Sequence, residues 1–418
     1  MLIIADDLTG AADCGVACLG CGLRTVVVLD EYRECDADVL SVDTNTRASG
    51  PEEAATSMAR LIRGQARRED LLIYKKIDST LRGNVAVEVR AALEARRAGA
   101  GGDKRVVAVL APAFPAAGRT TIDGCVHVNG VPLAETDLWK NERKLSPANL
   151  LDMMSESGLR SALLGIAAIR GDDLQQRMQE LACEADVLLC DAETEDDLGT
   201  IADASMTLGS GTIWVGSAGL AYHLPRAGRL QSESVPRPAP VVAGPILFVV
   251  GSGSSVSRRQ ARFLELWPDV VSVRVAPGVL RAGKELPEWR AHQAALERAF
   301  SAAVDVLVIL GTEESSDSAQ EPLLARALAE MLRPFGGIVG ALLATGGDTA
   351  TAILRAWGIA ELQIVGEVEP GLPYSVAANW RRPLPILTKA GGFGKPETLL
   401  HCREFLRALG RAEGVQTR

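Results

Sequence analysis

The chain has 418 residues, a formal net charge of -9, 47% hydrophobic residues and 23% charged residues. Its length exceeds one ordinary hydrophobic core and predicts two domains, and its composition is that of a globular protein. The acidic balance argues against nucleic acid as the main partner, although a local pocket of Arg and Lys can oppose the global sign around a small anion.

Short β-branched runs alternate with Ala/Leu/Arg-rich helical patterns from the first residues onward. "MLIIAD", "RTVVVLD", "DADVLSVDT", "DLLIYKKID" and "RVVAVLAPA" read as buried strands, and "PEEAATSMARLIRGQARR" and "GNVAVEVRAALEARRAG" as helices between them. "ALLGIAAIR", "ADVLLCDAE" and "GTIWVGSAGLAYHL" continue the alternation. The segment 225–245 is rich in Pro, Ser and charge, lacks periodicity and reads as a linker. A second series follows: "ILFVVGSGS", "VVSVRVAPG", "VDVLVILGTEE", "GGIVGALLATGGDTA" and a terminal "PLPILTKAGGFGKPETLLHCREFLRAL". The predicted fold is therefore α/β with two domains, residues 1–237 and 238–418. Each is expected to be a mainly parallel sheet flanked by helices, with the active site in the interdomain cleft.

No apolar run approaches membrane-spanning length, and the first residues lack the basic start of a signal peptide. No membrane association and a cytoplasmic location are expected. Cys14, Cys18 and Cys21 follow one helix face, with no histidine nearby and no second Cys pair at zinc-site spacing, so a metal centre is not expected there.

Ligands of open α/β sheets bind at the carboxyl ends of the strands. In the first domain those ends carry Asp6 and Asp7, then Arg47 in "VDTNTR", then Lys75, Lys76, Asp78, Ser79, Arg82, Gly83 and Asn84 in "KKIDSTLRGN". Arg119, Thr120 and Asp123 follow in "APAFPAAGRTTIDG". Asp7 and Thr9 also suit the cap of the next helix, and Asp13 falls inside that helix. Arg47 and Arg82 offer planar forks suited to a carboxylate, and the aspartates can accept hydrogen bonds from polyol hydroxyls. Together they describe a pocket for a small hydroxylated acid.

The second domain places glycine turns at three strand ends. "VVGSGSSVSRRQ", with Ser252 and Ser254, offers backbone N–H groups to an anion but is neither a Walker A sequence nor a complete dinucleotide fingerprint. "LLATGGDTATAIL" runs from Thr345 into Gly346 and Gly347, with Asp348 and Thr349 expected to cap a helix. Asp348 is placed to hold a magnesium ion or act as a base; a complete metal-ligand set is not legible. "TKAGGFGKPETL" sets Lys389 and Lys395 around Gly391, Gly392 and Gly394. Three such turns favour a nucleoside triphosphate.

Taken together, "IADDLTGAAD", "KKIDSTLRGN", "GSGS", "TGGDTA" and "KAGGFG" resemble the four-carbon acid sugar kinases over the whole length and in the same order. The resemblance implies an N-terminal domain for the acid sugar and a C-terminal domain for ATP. It implies substrate contacts from Asp6 or Asp7, Arg47 and the segment from Arg82 to Asn84. For ATP it implies Ser254, the turn from Thr345 to Asp348, and Gly391 or Gly392. The expected reaction is phosphorylation of the 4-hydroxyl of D-threonate, with D-erythronate, L-threonate and 3-oxo-tetronates as alternatives, using ATP and Mg2+. Arg47 and Arg82 would anchor the carboxylate, and Asp348 or Asp7 would serve as base. A homodimer is the base-rate expectation. Two readings of other classes compete: an oxidoreductase using a dinucleotide at "GSGSSVS", and a non-catalytic sugar-acid sensor, which gives no reason for three glycine turns.

Overall fold

The computed structural model of the chain describes residues 1–29, 36–65, 71–99, 105–141, 148–232, 242–311 and 321–409. It divides into two compact units, Met1–Ser234 and Val235–Arg418. The expected boundary at 237–238 lies outside the described residues.

The first unit is built on β1 (Leu2–Ala5), β2 (Thr25–Leu29), β3 (Val39–Asp43), β4 (Ile73–Lys76) and β5 (Val107–Ala111). A meander of β6 (Arg119–Ile122), β7 (Cys125–Val128) and β8 (Val131–Pro132) follows, and β9 (Ser161–Leu164), β10 (Val187–Cys190) and β11 (Thr212–Gly216) return to the main sheet. The main sheet runs β2-β3-β1-β4-β11-β5-β10-β9 with every pairing parallel. Helices α1 (Leu8–Ala17), α2 (Pro51–Gly64) and α3 (Val85–Gly99) supply three of the crossovers. α2 begins with Pro51 and places Glu52 and Glu53 in its first turn, where they suit the positive end of the helix dipole. Its buried Met58, Leu61 and Ile62 pack with Val85, Val89 and Leu93 of α3 and Ile4 and Ile73 of the sheet in one core. Because β1 is central, its carboxyl end opens among the ends of β3 and β4.

Two features depart from the expected elements. "ALLGIAAIR" divides at Gly165 into β9 and a short helix, Ile166–Ile169. The stretch expected as a polar strand end after β5, residues 111–124, holds β6, the first strand of a meander that β7 and β8 continue beyond it. The meander's turns are Asp123–Gly124 and Asn129–Gly130, all four residues at positive φ (50°, 71°, 51° and 82°).

The second unit contains β12 (Ile246–Val250), β13 (Val270–Val275), β14 (Asp305–Leu310), β15 (Ala341–Thr345), β16 (Glu361–Glu369), β17 (Leu372–Ala377) and β18 (Leu384–Lys389). The order is β13-β14-β12-β15-β18-β17-β16; pairings are parallel as far as β18, and β17 is antiparallel to both neighbours. The adjacent strands β12, β15 and β18 bring three carboxyl ends side by side. Phe248, Leu343 and Leu387 anchor them in one core.

Candidate active-site residues

Asp7 caps α1 with extended backbone (φ -145°, ψ 158°), and its Oδ1 accepts from the Gly10 N–H at 2.9 Å. The Thr9 hydroxyl donates to Oδ2 at 2.6 Å. Arg47, which follows β3, brings its guanidinium to the same spot. Its Nε and Nη2 donate to Asp6 Oδ2 and Oδ1 at 3.0 and 2.8 Å, and its Nη1 and Nη2 donate to Asp7 Oδ2 and Oδ1 at 2.7 and 2.9 Å. Asp7 therefore accepts four hydrogen bonds and is saturated, whereas Asp6 accepts only from Arg47 among the described residues. Burial pushes the Asp6 carboxyl up, but Arg47, Lys75 and Lys76 outweigh it and hold the group below the usual carboxylate range.

The segment after β4 adds a second fork. Arg82 grips Asp78 through Nε to Oδ2 at 2.9 Å and Nη2 to Oδ1 at 2.8 Å, while the Thr80 N–H and hydroxyl also donate to Asp78 Oδ2. Burial opposes ionisation of Asp78, but Arg82 and Arg47 overcome it and hold its carboxyl well below the usual range. The Arg82 side chain stays 43% exposed, with its outer edge turned away from Asp78. Gly83 adopts φ +91°, and a Cβ there would lie 2.7 Å from Asp6 Oδ2, so only glycine fits this passage. Asn84 ties the segment to the chain after β3 by donating to the Thr46 and Ser49 carbonyls at 3.3 and 2.9 Å. Ser79 sits half-buried at the turn.

Neighbouring lysines of β4 part company, as strand alternation requires. Lys75 is fully buried and forms an ion pair of 2.8 Å with Glu88 of α3, whose carboxyl also accepts from the Thr46 hydroxyl. Burial raises the Glu88 carboxyl and Lys75 only partly offsets it. Lys76 faces the other side, its Nζ 2.8 Å from where a Gly10 Cβ would stand, and no carboxylate oxygen lies within 4.0 Å of it among the described residues.

From their sequence context the forks of Arg47 and Arg82 are expected to await a ligand carboxylate. In the folded unit the Arg47 fork is committed to Asp6 and Asp7, because two adjacent buried carboxylates need a counter-charge in place. Half of the Arg82 fork is committed to Asp78. Glu88 is absent from the expected site residues, although its signal is present: an acid on the apolar stripe of Val85, Val89 and Ala92. Lys75, expected to bind substrate, is instead committed to Glu88, because sequence does not say which of two alternating residues faces a helix.

In the second unit the three glycine turns pack against one another. The Gly346 N–H donates to the Lys389 carbonyl at 2.9 Å, and the Ser257 hydroxyl donates to the Gly391 carbonyl at 2.8 Å. A Cβ on Gly391 would stand 2.0 Å from Ser252 Oγ, and one on Gly251 would stand 2.0 Å from Thr349 Oγ1. Ser254 caps the helix Ser255–Glu265, its hydroxyl accepting from the Val256 N–H at 3.2 Å. Asp348 and Thr349 do not cap the next helix as expected. That helix, Gly347–Ala356, starts two residues earlier, with Gly346 (φ 92°) at the cap position. No side chain caps its start, and Asp348 stands exposed in the first turn. Thr345 Oγ1 is buried beneath the turn without a hydrogen-bond partner. Gly392 is exposed at the tip of the third turn. Lys389 is 1% exposed, and its ammonium donates to the carbonyls of Ala390 and Phe393 at 2.8 and 2.9 Å. Drawing those oxygens inward stiffens the turn. Burial lowers the Lys389 amine to about 8, with Cys402 and Glu369 opposing.

The two units thus supply different chemistry: carboxylates and cations in the first, and backbone donors around close-packed glycines in the second. An uncapped helix start and an orphaned hydroxyl fit a ligand rich in phosphate oxygens.

Comparison with known proteins agrees with that division. Residues 1–224 match the family described as a sugar-binding N-terminal domain, and residues 247–399 match a nucleotide-binding C-terminal domain. The chain is 40% identical to a D-threonate kinase of Cupriavidus necator, over 96% of each protein. It is 33% identical to a D-threonate kinase of Salmonella typhimurium, over 98% of this chain and 99% of that one. A crystal structure from Salmonella typhimurium LT2 shares the fold with a TM-score of 0.77 at 20% identity, covering 97% of this chain and 98% of the other. With both domain models matched in order and full-length kinase relatives at this identity, the chain belongs to the four-carbon acid sugar kinase family.

Proposed function

We propose that this kinase transfers the γ-phosphoryl group of ATP to the 4-hydroxyl of D-threonate. The observation that carries the reading is the 40% identity, over 96% of both chains, to the Cupriavidus necator D-threonate kinase. The first unit is read as the acid-sugar domain and the second as the ATP domain, with the linker between them near residue 238.

The reaction forms a bond between the substrate O4 and the γ-phosphorus and breaks the bond from that phosphorus to the β,γ-bridging oxygen. ADP leaves, and the proton of the 4-hydroxyl passes to solvent or to a carboxylate. Such transfers rest on positioning and charge neutralisation. Asp6 is the carboxylate with acceptor capacity left, so it takes a hydrogen bond from a substrate hydroxyl and orients it. Asp7, saturated by four donors, holds Arg47 and the start of α1 in place and is not the base. Lys76 supplies a further donor beside Asp6.

On the ATP side, Ser252, Ser254, the turn from Thr345 to Asp348, and Gly391 and Gly392 surround the phosphates with N–H and O–H donors. Asp348 is the carboxylate that would hold Mg2+ together with the phosphate oxygens, an arrangement this ion favours over an all-protein cage. When bound, Mg2+ neutralises phosphate charge.

Phosphorus NMR of the product tests the position of transfer. Incubation with D-threonate, ATP and Mg2+ is expected to yield a phosphomonoester coupled to the C4 protons. A phosphate on O2 or O3 overturns the assignment.

A further inference from the structure

The cations of the first unit separate into two groups once their partners are followed. Arg47 serves Asp6 and Asp7, Lys75 serves Glu88, and the inner half of Arg82 serves Asp78. Arg119, the first residue of β6, has no such partner. No carboxylate oxygen lies within 4.0 Å of it among the described residues, and its Nη1 donates only to the Ala117 carbonyl. Its Nε is buried with no hydrogen-bond partner. Burial pushes its guanidinium below the ordinary arginine range, and Asp78 is the single charge that partly offsets this. A guanidinium withdrawn from water without a counter-ion is unfavourable unless something else supplies the anion.

Arg119 is also firmly placed. Its backbone exchanges both hydrogen bonds with Phe114, at 2.8 and 3.0 Å. Thr121 bridges to Ala192 on the chain after β10. Asp191, buried at the end of β10, accepts from the Asp123 and Gly124 N–H groups at 2.7 and 3.0 Å and so fastens the β6–β7 turn. The protein has therefore built a rigid support for a cation that it leaves unpaired.

We infer that Arg119, together with the outer edge of Arg82, receives the carboxylate of the substrate and sets the preference for an acid over a neutral polyol. The inference rests on the acid-sugar reading above and moves the carboxylate seat from the Arg47 fork to Arg119. A planar fork matches a carboxylate by two hydrogen bonds, which lysine cannot reproduce.

The test compares D-threonate with its neutral amide, D-threonamide, as substrates of the wild type and of Arg119→Gln, Arg119→Lys and Lys76→Met. The wild type is expected to prefer the acid. R119Q is expected to lose roughly ten- to hundredfold in kcat/KM on the acid, the range for a charge-assisted pair, and the acid-over-amide preference falls by the same factor. R119K restores part of the preference, and KM for ATP stays where it was in both variants. Thermal melting reads folding separately: losing a half-buried cation whose Nε is unpartnered is expected to leave Tm unchanged or raised, while the upward shift of Tm by D-threonate shrinks. An R119Q enzyme that keeps the wild-type acid-over-amide ratio, or a K76M enzyme that alone loses it, overturns the assignment. A wild type that turns over no four-carbon acid overturns the function reading itself, a result visible before any variant is made.

Discussion

Arg47 holds Asp6 in a two-point grip, with Nε 3.0 Å from Oδ2 and Nη2 2.8 Å from Oδ1. The grip joins the end of β1 to the chain after β3, and Asp7 shares the same guanidinium. Removing Arg47 leaves two adjacent buried carboxylates without their main counter-charge. Arg47→Met is expected to cost about 3–5 kcal/mol at neutral pH, the range for breaking a buried pair. In the wild type, Asp6 titrates below its unfolded value, so its contribution is present above that value and fades as pH falls through the folded one. In R47M burial dominates and the shift reverses. Its deficit against wild type therefore narrows towards pH 4, which urea unfolding at pH 7 and pH 4.5 measures.

Gly83→Ala places a methyl group 2.7 Å from Asp6 Oδ2 at a residue with φ +91°. Strain of about 1–3 kcal/mol is expected, together with a rise in KM for the acid and an unchanged KM for ATP. Melting curves and steady-state kinetics check both parts. An equal rise in both constants would place the segment outside the acid site.

Gly391→Ala sets a Cβ 2.0 Å from Ser252 Oγ and separates two of the three glycine turns. The variant is expected to raise KM for ATP at least tenfold and leave KM for the acid in place. The clash is specific, so the double variant Gly391→Ala, Ser252→Gly is expected to recover part of the loss. A double-mutant cycle measures that coupling.

Lys389 carries a pH signature. Its amine titrates at about 8 in the folded protein against an ordinary 10.5, under desolvation by burial and with Cys402 and Glu369 opposing; His401 pairs with Glu369 at 2.8 Å. Between these values the unfolded chain holds a proton that the folded chain has released, so this group makes stability rise with pH across the window. Function moves the other way. Loss of the ammonium weakens its hold on the Ala390 and Phe393 carbonyls, and KM for ATP is expected to climb above pH 8. Lys389→Arg keeps its charge and removes that limb of the profile.

The fold was legible where period and punctuation agree. The apolar runs of β1, β3, β4 and β5 are continuous because both faces of a parallel sheet are covered, and Asp7 and Thr9 are ordinary helix-start residues. The β6–β8 meander was legible and missed: Asp123–Gly124 and Asn129–Gly130 are strong hairpin signals that the expected strands leave out. Pro370–Gly371 between β16 and β17 is a third turn signal of the same kind. In the site, residue types were readable but their partners were not. Asp6 and Arg47 stand 41 positions apart, and nothing local tells whether a fork faces a ligand or a carboxylate of the same chain. The turn that follows the strand carrying Arg119 is fastened by Asp191, a contact 68 positions away from Asp123.

The central claim is tested most directly by one panel of kinase assays. ADP release is measured with ATP and Mg2+ for D-threonate, L-threonate, D-erythronate and a 3-oxo-tetronate at equal enzyme concentration. The account predicts the highest kcat/KM on D-threonate. A higher value on any other acid in the panel, or no ADP release with all four, would contradict it.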